Sequence, residues 1–190
     1  MGEMKEKRVW AAYFSGTGTT EKIVKIIAER LSSQLEASTG NQPAVFDFTL
    51  PGVRQAETAF QERDIVVFGV PVYAGRVPNV LLKYLNGISG GGAAAIPVVL
   101  YGNRNFDDAL IELRNILETD GFHTVAAGAF IGEHSFSRIL GKGRPDEKDL
   151  EIALDFAERI AEKLKKGALL AEPVYVKGED PIRNYYQPRD

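Results

Sequence analysis

The chain has no cysteine, and that absence removes more chemistry than any other feature of its composition. Without thiols there is no disulfide, no thiolate nucleophile and no cysteine-held iron–sulfur cluster within this polypeptide. Histidine is almost as scarce. His123 and His134 are the only two, too few to make a persuasive metal centre. Long apolar runs are missing as well: no stretch approaches the roughly 18 residues that suggest a membrane span, and Met1 to Arg8 is charged rather than signal-like. Positive charge is not in surplus. With 23 Lys+Arg against 26 Asp+Glu, the formal net charge is −3 and the pI about 5.5, which leaves no basic stripe for nucleic acid. The expectation is a cytoplasmic protein with no membrane span and no nucleic-acid partner. Its 190 residues, 44% of them hydrophobic, suffice for one well-buried domain and fall short of two.

What the chain does have is a dense cluster of small and hydroxylated residues, Ser15-Gly16-Thr17-Gly18-Thr19-Thr20. The cluster follows the apolar run Val9 to Phe14 and precedes an amphipathic helical pattern starting near Glu21. A strand that turns through such a loop into a helix presents backbone N–H groups at the positive end of the helix dipole, where a phosphate is stabilised. Four hydroxyls, on Ser15, Thr17, Thr19 and Thr20, add donors that a plain turn does not need. Three other phosphate loops fit poorly. A dinucleotide fingerprint starting at Gly16 would need glycine where Glu21 stands, a Walker loop needs a Gly-Lys pair, and a cysteine-centred cradle needs cysteine. Neutral donors and no lysine in the loop match a single phosphate, such as flavin mononucleotide (FMN) carries.

Strand-like segments, Val9–Phe14, Ala44–Phe48, Ile65–Val70, Ile96–Tyr101 and Thr124–Ile131, alternate with helical patterns. The helical segments are Glu21–Leu35, Asn79–Leu85, Asp107–Glu118 and Glu147–Lys165. This alternation predicts a parallel sheet with helices on both faces, whose ligand site lies beyond the carboxyl ends of the strands. Gly90 to Ala95 reads as a connector, Trp10 as core and His123 as a strand-edge residue. The loop after the third strand, Pro71-Val72-Tyr73-Ala74-Gly75-Arg76-Val77-Pro78, pairs stiff prolines with an aromatic and a Gly hinge. The loop after the fourth, Tyr101-Gly102-Asn103-Arg104-Asn105-Phe106, again sets aromatics beside glycine. Two such loops beside a phosphate loop suggest a flat ring held by stacking. Tyr73 or Phe106 would stack, and Arg76 or Arg104 would favour an anionic reduced ring, unless these arginines are solvated or paired with Asp107 or Asp108.

The phosphate loop and the order of elements resemble the flavodoxin family. Pro71 to Pro78, Tyr101 to Arg104, Gly132-Glu133-His134-Ser135-Phe136-Ser137 and Gly143-Arg144-Pro145-Asp146 resemble more specifically the flavodoxin-like half of proteins that couple it to a ferredoxin-type iron–sulfur domain. The resemblance implies an α/β flavodoxin-like three-layer sandwich with a five-stranded parallel sheet in order 2-1-3-4-5. It also implies FMN, held by Ser15, Gly16, Thr17, Gly18, Thr19 and Thr20 at the phosphate. The ring would lie among Pro71, Val72, Tyr73, Ala74, Gly75 and Arg76 on one side and Tyr101, Gly102, Asn103, Arg104 and Phe106 on the other. The expected organisation is one FMN-binding domain over residues 1–170 and a tail or arm over 171–190. With no cysteines for a cluster domain, electrons must come from another molecule, a ferredoxin-type protein or a flavin reductase, and a homodimer is possible through the tail. The function expected is electron transfer. A nicotinamide-dependent quinone or flavin reductase and a non-redox binding module are the alternatives; a receiver domain fits poorly because Tyr13-Phe14-Ser15 and Val70-Pro71 stand where it needs acids.

Overall fold

The computed structural model describes residues 7–36, 42–135, 137, 139–167, 172–179 and 182. In chain order the elements are β1 (Arg8–Tyr13), α1 (Thr19–Gln34), β2 (Ala44–Asp47), a turn of 3-10 helix (Val53–Gln55) and β3 (Asp64–Pro71). These are followed by α2 (Asn79–Leu85), β4 (Ala94–Tyr101), α3 (Ala109–Thr119), β5 (His123–Thr124), β6 (Gly128–Ile131) and α4 (Glu147–Lys165). The strands run parallel in the order β2-β1-β3-β4-β5, and β6 also pairs with β4. This is the expected order. Among the described residues no helix is long and apolar enough to cross a membrane.

The alternation of side chains along each strand divides the core into two layers. Val9, Ala11, Tyr13, Ile65, Val67, Ile96 and Val98 face α1 and α4. Ala12, Val66, Phe68, Val70, Ala95 and Val99 face α2 and α3. The second layer is rich in rings: Phe48 packs 5.2 Å from Phe68, Phe60 5.5 Å from Phe122, and half-buried Trp10 edge-on to Phe60 at 5.4 Å. α4 keeps the expected bounds because its ends are marked locally. Asp146 and Asp149 form a reciprocal capping box at the start, and Lys163 and Lys165 occupy the last turn.

Two departures have physical causes. The fifth strand is broken: Ala94 pairs with His123 and Val98 with Gly128, so five steps on one strand oppose four on the other. The carbonyls of Ala93 and Ala95 accept from His123 N–H (2.8 Å) and Val125 N–H (3.0 Å), so alternate residues of β4 face this neighbour. Pro97 is the next in that series and has no N–H to pair, and the partner strand breaks opposite it. The fourth strand also starts earlier than expected, taking Ala94 and Ala95 from the connector. His123 lies exposed on β5, at the sheet edge.

Of the tail, Val174 donates its N–H to the Thr124 carbonyl (3.1 Å) and Val176 is buried in the ring-rich layer, so this stretch packs beside β5. Pro181, Tyr185, Tyr186 and Pro188 lie outside the described residues. Nearer the loop that follows β1, a Cβ on Gly69 would sit 2.2 Å from Val24 Cγ2 and 3.1 Å from Thr20 Cγ2. Only a glycine here lets the start of α1 lie this close to β3, which sets the height of that loop above the sheet.

Candidate functional site

Four loops at the carboxyl ends of β1, β3, β4 and β6 surround a cleft of about 490 Å³. That size suits a small organic ligand. The first loop is tied from beneath: Ser15 donates its N–H to Thr49 Oγ1 (2.9 Å), and its own Oγ accepts from Glu21 N–H (3.1 Å). Gly18, at φ +82°, turns the chain into α1, and the hydroxyls of Thr17 and Thr19 lie 3.1 Å apart. Among the described residues, the backbone N–H groups of Gly16, Thr17, Gly18, Thr19 and Thr20 meet no acceptor. Five open donors at the positive end of a 16-residue helix form a ready anion cradle. Beneath it Tyr13 donates to Glu21 (3.1 Å), which also pairs with Lys25 (2.5 Å). Burial, then the Glu21 charge, pushes the Tyr13 hydroxyl above its usual range.

In the second loop Tyr73 and Arg76 exchange both backbone hydrogen bonds (2.9 and 3.0 Å) around Ala74 (φ +50°) and Gly75 (φ +77°). Two successive positive φ values make this a two-residue turn of type I′, a conformation that strains alanine. The Asp107 side chain fills the space beside Gly75, where an added Cβ would lie 2.5 Å from its Oδ2. Arg76 turns away from the cleft. Its Nε and Nη2 donate to Glu112 Oε2 (2.8 Å) and Oε1 (2.5 Å), and Val77 N–H reaches the same carboxylate at 2.8 Å. Both side chains are nearly buried, so the guanidinium is a structural tie with its charge neutralised.

The third loop sets Tyr101 edge-on to Phe106, with centroids 5.4 Å apart. Tyr101 and Gly102 line the cleft; Phe106 backs Tyr101 and packs against the ring-rich layer. The fourth loop supplies Gly132, Glu133, His134 and Ser135. Gly132 is pressed on Thr19, since a Cβ there would lie 2.6 Å from Thr19 Cγ2. Glu133 N–H donates to the Arg144 carbonyl (3.0 Å) and His134 N–H to that of Leu140 (3.2 Å), so the loop folds back on itself. Its return is anchored by the Arg144 guanidinium on Asp149, and by Lys22 Nζ donating to the Pro145 carbonyl at 3.0 Å. The Arg144 hydrogen bond holds the Asp149 carboxyl below the usual carboxylate range.

Comparison with solved structures finds this architecture repeatedly. An archaeal flavodoxin superposes with a TM-score of 0.53 at 17% identity over 83% of this chain and 99% of its own. Flavodoxin 2 from Bacillus cereus gives 0.57 at 17% identity over 82% and 99%. The fold is flavodoxin-like. An apo NADH:FMN oxidoreductase gives 0.58 at 16% identity, covering 88% of this chain and 92% of that one. The flavodoxin-like fold also matches the flavodiiron core Flv1 from Synechocystis, at 0.57 and 16% identity, over 86% of this chain and 37% of the other. No protein-family model and no curated protein matches the chain.

Of the residues singled out in the sequence, Gly16, Thr17, Thr19, Thr20, Pro71, Val72, Tyr73, Ala74, Tyr101 and Gly102 line the cleft of this flavodoxin-like fold. Ser15, Gly18 and Gly75 stand behind it as the turns and ties that shape its walls. Asn103 and Arg104 are exposed beyond it, and Arg76 and Phe106 turn into the body. From the sequence, His134 could be read as approaching a cofactor or partner, but Leu100, Gly132, Glu133 and Ser135 were left out of the site. The motif Gly132 to Ser137 stood out in the sequence, but only the contact of Gly132 with Thr19 shows that it borders the phosphate loop.

Proposed function

We propose that this protein binds FMN in the four-loop cleft and passes electrons between a redox protein and an acceptor. The observation that carries this reading is the row of unpaired N–H groups from Gly16 to Thr20 at the start of α1, beside a cleft walled by Tyr73 and Tyr101. The residues fit the group: the cradle has no lysine, so it suits one phosphate held by neutral donors. Gly16 leaves room beneath Tyr73, whose hydroxyl lies 4.0 Å from where a Cβ would stand. Tyr73 is 45% exposed, so its ring is accessible as a cover for a flat ligand.

The chain's own contribution is positioning. Gly16 to Thr20 would donate to the phosphate, Pro71 to Ala74 and Tyr101 to Gly102 would flank the ring, and the strained turn at Ala74 would present a peptide group to its edge. FMN, when bound, supplies the capacity to take up and release electrons. A redox partner, ferredoxin-type or a flavin reductase, would then dock where the ring edge is exposed. A single FMN-binding unit over residues 1–170 is part of this reading, and the likeness of the fold to flavodoxins over 83% and 82% of the chain supports it.

The test is anaerobic titration of the purified protein with FMN, followed by stepwise reduction with NAD(P)H and then dithionite. Stoichiometric binding, with reduction by dithionite and none by NAD(P)H, is the expected outcome. Rapid NAD(P)H oxidation would replace this reading with a reductase, as the NADH:FMN oxidoreductase neighbour suggests; no binding would leave a non-redox module.

A further inference from the structure

The phosphate loop takes its position from Thr49, a residue outside the wall of the cleft. The pairing of β1 with β2 runs one step past the ends of both strands, where Phe48 donates its N–H to the Tyr13 carbonyl (3.0 Å). In a parallel ladder the residue that donates to position 13 accepts from position 15, so the regular acceptor for Ser15 N–H is the Phe48 carbonyl. A side chain stands in for it. Ser15 donates to Thr49 Oγ1 at 2.9 Å, and among the described residues no backbone carbonyl takes that proton. Thr49 is fixed in turn: its N–H donates to Asp47 Oδ1 (2.9 Å), which closes a side-chain turn at the end of β2. On the other side of β1, Phe14 N–H is held by the Gly69 carbonyl of β3 (3.0 Å). β1 therefore ends with a tie to each neighbour, and the Thr49 hydroxyl is the last of them.

These ties bound the cradle. Of the six N–H groups from Ser15 to Thr20, the first is taken by Thr49 and the next five meet no acceptor among the described residues. Glu21 N–H closes the far end on Ser15 Oγ (3.1 Å), so both limits of the open row pass through Ser15. We propose that Thr49 is a positioning residue for the phosphate cradle: its hydroxyl pins the Ser15 peptide and keeps the backbone of Gly16 to Thr20 in the arrangement that leaves its N–H groups open. The inference rests on the FMN reading above and deepens it by naming a residue that acts on the phosphate end of the ligand. A loop fixed before the ligand arrives has less freedom to lose on binding.

Thr49→Val keeps the branched shape and removes the acceptor, whereas Thr49→Ser keeps the hydroxyl. The parent and both variants are titrated with FMN and with riboflavin, the same ring without the phosphate. The Val variant should bind FMN about tenfold more weakly and riboflavin within about twofold of the parent, and the Ser variant should stay within about threefold for both. Unchanged FMN affinity in the Val variant would show the tie to be dispensable, and equal losses for FMN and riboflavin would show that it acts on the fold as a whole; either overturns the proposal. Amide hydrogen exchange on the unaltered protein gives a second readout. Without ligand, Ser15 N–H should exchange about tenfold or more slower than the row from Gly16 to Thr20, and FMN should slow that row. A Ser15 amide that exchanges as fast as the row, in a protein that binds FMN, would sink the inference and leave the FMN reading standing. Failure of the parent protein to bind FMN would overturn both.

Discussion

Two clefts open at opposite ends of the same sheet, about 490 Å³ beyond the carboxyl ends of the strands and about 400 Å³ beyond the amino ends, and they offer opposite chemistry. The first is walled by Gly, Thr, Pro and Tyr and by the start of α1. The second is lined by Lys7, Glu62, Arg63 and Asp64 and by the end of α4, at Leu164 and Gly167. The difference follows from chain direction. Crossover helices run against parallel strands, so open N–H groups and positive dipole ends collect at the carboxyl end and carbonyls at the other. The charged cleft already satisfies itself in part, since buried Asp64 accepts from Gln61 N–H at 2.8 Å. Volume alone does not make an anion site; the direction of the helices does.

The strongest way to break this contrast is to remove the tie behind the upper cleft. Glu112→Ala leaves the nearly buried Arg76 guanidinium and Val77 N–H without their carboxylate. A loss of about 3 to 5 kcal/mol in urea unfolding is expected, with FMN affinity falling as the second loop loosens. Unchanged stability would show that water replaces the carboxylate and that the tie is dispensable.

Gly69→Ala comes next. Its methyl would meet Val24 Cγ2 at 2.2 Å, so α1 must lift from β3 and carry the phosphate loop with it. About 1 to 3 kcal/mol of stability should be lost, together with phosphate affinity. Isothermal titration with FMN separates the two effects, and a stable variant with parent affinity would deny Gly69 its positioning role.

At the amino end the expected sign is reversed. Burial raises the Asp120 carboxyl to about 6, and its Oδ2 lies buried with no hydrogen-bond partner among the described residues. Because the folded value exceeds the unfolded one, the parent loses stability as pH rises from about 4 through 6. Asp120→Asn escapes that loss. The side chain is partly exposed, which discounts the gain to about 1 kcal/mol at pH 7.5, and the gain should vanish below pH ~4 in paired thermal melts. An advantage that persists at low pH would point to packing instead of charge.

The smallest effect sharpens the contrast by its absence. Arg63→Ala, on the exposed rim of the lower cleft, should change stability by less than about 0.5 kcal/mol and leave FMN binding as in the parent. Impaired FMN binding would mean that the two ends communicate.

Much of the upper cleft could be read in the order of residues. The loop from Ser15 to Thr20 is built from near neighbours, so its glycines, hydroxyls and following helix state its geometry directly. The start of α4 is equally local, since Asp146 and Asp149, three positions apart, cap it reciprocally. Arg76 was harder. A cation in a ring-flanking loop looks like a ligand contact, and its true partner, Glu112, lies 36 positions away on a helix face that periodicity shows only as mixed. Pro97 did carry a readable signal for the broken fifth strand. Its missing N–H matters only once the neighbouring strand is known to lie on that side.

The sequence by itself determined the alternation of strands and helices, the parallel sheet that follows from it, and a first loop able to cradle a phosphate. Each of these rests on periodicity or turn chemistry within a few residues. Only the tertiary structure decided that Arg76 turns inward to Glu112, that Gly69 admits α1, and that His134 is laid on Gly102 to complete the cleft. Those choices depend on which side chains meet across 32 to 49 positions of chain, where packing and burial select the partner and local pattern carries no record of it.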